Sequence, residues 1–111
     1  MSRLIHVSTV QPDHKLELED VRRSAVFIAQ RWGMKPEVLH RIIANAKVEV
    51  RYSVLSIDQL LMDRTFKEAN DLFIEKSVEL GEKAIRKCLD QTGLGPRDID
   101  MLITVSCTGF M

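Results

Sequence analysis

"FKEANDLFIEKSVELGEKAIRKCLDQTGLGPRDIDMLITVSC", residues 66–107, decides the fold class, because a long helical period passes through a tight stop into an unbroken apolar run. Phe66, Ala69, Phe73, Ser77, Leu80, Ala84 and Cys88 recur at three- and four-residue steps, the spacing of one helix face. Ile74, Val78, Gly81, Ile85 and Leu89 form a second apolar stripe beside the first. So wide an arc predicts a helix lying between other layers, with Gly81 allowing a close backbone approach. Thr65-Phe-Lys-Glu68 has the form of a capping box, and Gly93 with Pro96 supplies the stop, so the helix is expected over about residues 65–91. Glu79 with Lys83 and Glu82 with Arg86 are i,i+4 pairs on the remaining face, the pattern of a solvated surface. "MLITVSC" at 101–107 is apolar, β-branched and uncharged, as expected of a strand buried on both faces under helices. Helix followed by buried strand gives an α/β class.

Upstream, "RLIHVST" at 3–9 predicts a first strand, and "VQPDHKLE" at 10–17 a polar, proline-containing loop. Leu18, Val21, Ala25, Ile28 and Trp32 then lie on one face of a helix that ends at Gly33. Pro36 suits a first helical turn, and "EVLHRIIANA" makes a second helix with Val38, Leu39, Ile42 and Ile43 inward and His40 and Arg41 nearer solvent. "VEVRYSVL" at 48–55 alternates as an extended segment does. Ser56-Ile-Asp-Gln59 is a second capping box, opening a short helix through Met62. No internal repeat or low-complexity stretch interrupts this order, so residues 1–111 read as part of a single domain.

Composition narrows the function classes. Lys plus Arg equals Asp plus Glu at 16 each, which lacks the electrostatic footprint of nucleic-acid or anionic-membrane binding. Apolar stretches under ten residues cannot span a bilayer, and Met1-Ser2-Arg3-Leu4 leads into no secretory core, so a cytoplasmic location is expected. Cys88 and Cys107 lie outside any CxxC pattern, and His6, His14 and His40 have no metal-ligand spacing with them or with one another. Reduced thiols and no metal or other cofactor are expected. A strand buried on both faces needs neighbours and covering helices, of which 111 residues with two or three strands offer few; the sequence reads as truncated.

"GLGPRDIDMLITVSCTGFM" preceded by the long helix, and "IANAKVEVRYSVLSID" ahead of it, resemble the N-terminal part of type III polyketide synthases, the chalcone- and stilbene-synthase-like branch of the thiolase superfamily. "SCTGFM" is similar to bacterial members of the phloroglucinol- and alkylresorcinol-forming kind. The resemblance covers nearly the whole chain. It implies the first part of a thiolase-like αβαβα layered sandwich and a homodimeric enzyme acting on acyl-CoA and malonyl-CoA. It implies decarboxylative Claisen condensation on a cysteine thioester, with CoA thioesters as substrates. A ketoacyl synthase III-like condensing enzyme shares the strand-to-Thr-Gly pattern, and a small non-catalytic α/β interaction protein is the reading from a different class.

The same resemblance sorts the candidate residues. Its nucleophilic cysteine sits in a Gly-Cys-x-x-Gly motif at a helix N-terminus, where dipole and amide groups favour thiolate, and its His and Asn lie further on. None of the three is matched within residues 1–111, so no catalytic residue is assigned and this chain by itself is expected to be inactive. Cys107, Thr108 and Gly109 match the wall of the substrate cavity, Cys107 standing where plant enzymes usually carry threonine. Arg41 matches one member of the basic cluster that binds CoA phosphates, while the other usual positions fall on Val38 and Asn45; Lys35 or Lys47 stand close enough to substitute.

Simpler structural roles compete with each of these. Cys107 is also what a buried strand end looks like, and Thr108 a hydroxyl bonded to local backbone. Cys88, Trp32 and the phenylalanines read as core, His6 and His40 as ordinary partly exposed histidines. Arg51, inside an apolar run, is expected to pair with Glu49 or Asp58.

Overall fold

The computed structural model describes residues 1–106 as a mixed helix and strand chain in two compact units. The first unit, Gln11–Asp63, runs β1 (His14–Glu17), α1 (Leu18–Trp32), α2 (Pro36–Ala46), β2 (Val50–Ser53) and α3 (Ile57–Leu60). The second joins Met1–Val10 to the chain from Arg64 onward, and contains α4 (Phe66–Thr92) and a 3₁₀ turn at Pro96–Asp98.

In the Gln11–Asp63 unit, β1 and β2 form an antiparallel two-stranded sheet with His14 opposite Ser53 and Glu17 opposite Val50. The alternation of β1 turns Leu16 inward, while Lys15 and Glu17 share the other face and pair at 2.6 Å. That carboxylate, hydrogen-bonded to the ammonium, holds the Lys15 pKa above the ordinary lysine range. The chain enters α1 directly from the strand, with the Glu17 N–H donating to Asp20 Oδ2 at 3.1 Å. Helix α1 packs on α2 and on β1 through small residues, Ala25 and Ala29 being buried, the latter completely. At its end Gly33 takes φ 64° and Met34 N–H reaches back to Ala29 carbonyl at 2.8 Å, a Schellman closure that glycine adopts without Cβ strain. Pro36 fills the first turn of α2, where its missing N–H costs nothing. The capping box at Ser56 forms as expected, with Gln59 N–H donating to Ser56 Oγ at 3.3 Å and Ser56 N–H to Gln59 Oε1 at 3.0 Å.

In the other unit, Thr65 caps α4 and Gly93 ends it at φ 73°, within a residue of the expected bounds. Glu79 pairs with Lys83 at 2.9 Å and Glu82 with Arg86 at 2.7 Å, the two surface pairs read from spacing. Lys76 also bonds Glu79, at 3.0 Å, and the two cations together hold the Glu79 carboxyl below its ordinary range. Gly95 N–H donates to Asp98 Oδ2 at 2.8 Å, closing the turn after the helix.

Several expectations are corrected. Residues 3–9 form no strand, because no neighbouring strand among the described residues offers a ladder; His6 Nε2 and Ser8 Oγ instead bond the Gln91 side chain at 2.8 and 2.7 Å. The supposed loop at 10–17 supplies β1, since β2 is there to pair with it. The apolar run is not a strand over 101–106 and stands open to solvent. No residue of α4 is buried, and nothing described comes within 4 Å of a Cβ built at Gly81, so the between-layers placement is not seen. Trp32 is 69% exposed, Phe27 and Phe66 are exposed too, and of the second helix's inward set only Leu39 and Ile43 are half-covered, Val38 and Ile42 being exposed. Arg51 bonds the Val48 carbonyl at 3.4 Å, since its own strand register brings it no carboxylate.

Candidate functional site

Three basic residues lie along α2 and its two flanks: Lys35 before it, Arg41 on it and Lys47 after it. Most other cations of the chain are tied down. Arg23 meets Asp20, Arg31 meets Asp63, Lys67 meets Asp71, and Lys87 bonds the Thr9 carbonyl. Arg41 is exposed and has no acidic partner among the described residues, as is true of Lys35 and Lys47. An unpaired guanidinium keeps its planar donor fork available for an anion. Val38 and Asn45, one turn to either side of Arg41, bring no charge.

The last turn of α2 opens on a groove of about 400 Å³ shared with the start of α1. Leu18, Ile43, Ala44 and Val48 line it with apolar surface, and Arg22, Lys47 and Glu49 with charge. Lys47 is the one non-glycine residue with positive φ among those described, at φ 51°, ψ 34°, and its N–H closes the helix on the Ala44 carbonyl at 3.4 Å. Sequence reasoning brought Lys47 to this neighbourhood but passed over Arg22. The available signal was that Leu18 and Arg22 stand four apart at the head of one helix, so they share a face.

A second groove in the same unit, of about 320 Å³, runs from Phe27, Ile28 and Trp32 to Leu60 and Met62. It is mainly apolar, with the Arg31–Asp63 ion pair at its side. On α2, His40 is half-buried and its Nε2 is shielded from solvent without a hydrogen-bond partner among the described residues.

Among the described residues the remaining candidates do not gather into a centre. Cys107, Thr108 and Gly109 lie outside the described residues. Cys88 is a free, half-buried thiol on α4. The raised Lys76 pKa comes from hydrogen bonds to Glu79 and Glu75 on the solvated side of α4, and Glu68 sits low because Thr65 donates to it. Both are helix-surface effects. Among the described residues no group of three or more His, Cys, Asp or Glu side chains could hold a metal ion, and no helix is long and apolar enough to cross a membrane.

Comparison with known proteins gives the chain its relatives. It is 37% identical over 71 residues, 64% of its length, to a phloroglucinol synthase of Pseudomonas fluorescens, of which the match covers 20%. It is 30% identical over 103 residues to a 1,3,6,8-tetrahydroxynaphthalene synthase of Streptomyces peucetius, covering 93% of this chain and 27% of that protein. The enzyme of that name from Streptomyces coelicolor matches all 111 residues at 31% identity, over 29% of its own length. No family model matches, and no solved structure matches significantly. The chain spans less than a third of the length of the curated relatives it matches. Within that span, a phloroglucinol synthase and two tetrahydroxynaphthalene synthases converge on one ancestry, and the chain belongs to the type III polyketide synthases.

Proposed function

We propose that this chain serves in an acyltransferase that condenses an acyl-CoA starter with malonyl-CoA. The observation that carries the reading is the match of 93% or more of the chain to enzymes named for a polyketide product. In this reading the starter is transferred to a cysteine thiolate, and decarboxylation of the malonyl unit yields an enolate. The enolate carbon attacks the thioester carbonyl, and the chain grows by two carbons as the cysteine sulfur leaves. Thiolate suits both roles, as a nucleophile near neutral pH and as a leaving group.

The attacking cysteine and its His and Asn partners belong to portions of the relatives that these 111 residues do not span. What this sequence contributes is the approach and the wall. Arg41 contacts CoA phosphate oxygens, for which its exposed and unpaired guanidinium is suited. Cys107, Thr108 and Gly109 line the cavity beside the reacting thioester. The assembled protein is a cytoplasmic homodimer with thiolase-type layering, in which the apolar run at 101–107 takes its place as an interior strand.

The test is direct. A polypeptide carrying this sequence at the length of its relatives is incubated with malonyl-CoA and a panel of acyl-CoA starters, and products are read by mass spectrometry. Pyrone or resorcinol products are expected, and silence with every starter overturns the reading. Changing Cys107→Thr in that polypeptide alters starter choice or product length while condensation continues. Acyl groups trapped on Cys107, with all activity lost on its replacement, would reassign the nucleophile.

A further inference from the structure

We draw no further inference here: the strongest candidate, the open apolar groove of Phe27, Ile28, Trp32, Leu60 and Met62 in the Gln11–Asp63 unit, carries nothing, because Arg31 at its side is already paired with Asp63 and nothing in the structure shows what covers it.

Discussion

Thr65 and Glu68 hold one another at the head of α4: Glu68 N–H donates to Thr65 Oγ1 at 3.2 Å, while Thr65 N–H donates to Glu68 Oε2 at 2.7 Å. The threonine hydroxyl also donates to that carboxylate oxygen, at 2.8 Å. Two otherwise orphaned amide groups are satisfied by one pair of side chains.

This pair gives the longest helix an acid limit. The backbone bond from Thr65, then its hydroxyl, with Arg64 nearby, hold the Glu68 carboxyl below the ordinary glutamate range. A lowered folded-state pKa means that the unfolded chain takes up the proton first. The stabilisation is therefore complete above the usual glutamate range and is lost as pH falls through the folded value. Helix content followed by circular dichroism should fall on acidification through that window. Glu68→Gln, which keeps an oxygen acceptor without the titration, should flatten that limb; an unchanged acid profile would refute the assignment.

Gly81 is a weak point in α4 as the chain stands. A Cβ there would meet nothing within 4 Å, so Gly81→Ala adds helix propensity with no clash. Stability should rise by about 0.5–1 kcal/mol, read as a higher urea midpoint. A fall in the longer polypeptide would reveal a neighbour packed on this face, the close approach that the glycine predicts.

Ala29 marks the tightest packing on α1, with no exposed surface at all. Ala29→Leu forces three extra carbons into the α1–α2 contact and should cost about 1–3 kcal/mol. Ala44→Leu, at an exposed position of α2, serves as the control and should change the midpoint by much less.

The single tryptophan reports on solvent contact. Trp32 ends α1 largely exposed at the rim of the mainly apolar groove formed with Leu60 and Met62. Its emission should be that of a solvated indole and should be readily quenched by acrylamide. Blue-shifted, protected emission in this chain would contradict the placement.

Local signals were legible and long-range ones were not. The ends of α1 and α4, both Ser/Thr capping boxes and the two surface pairs on α4 follow from chemistry within four residues, which the sequence carries intact. The strand at His14–Glu17 was hidden in a stretch that looked like a loop, because its conformation depends on Val50–Ser53, some 35 residues away. Residues 3–9 and 101–106 differ in the other direction: β propensity without a partner strand among the described residues yields no strand. Trp32 and Phe66 looked like core by type, yet the described residues provide too little surface to cover them. At the candidate site, Arg41 emerged from resemblance and lies exposed as expected, whereas Arg22 required the groove to be seen.

The open run at 101–106 has a consequence for handling the molecule. Met101, Leu102, Ile103, Thr104, Val105 and Ser106 form six residues without charge, proline or glycine, and Val105 is 93% exposed. Such a segment can form β-structure with its own kind in trans, where every amide finds a mate and every branched side chain a dry neighbour. Solubility of this polypeptide is thus expected to fall with concentration, ordered aggregates growing through residues 101–106, and a charged replacement of Ile103 is expected to suppress them.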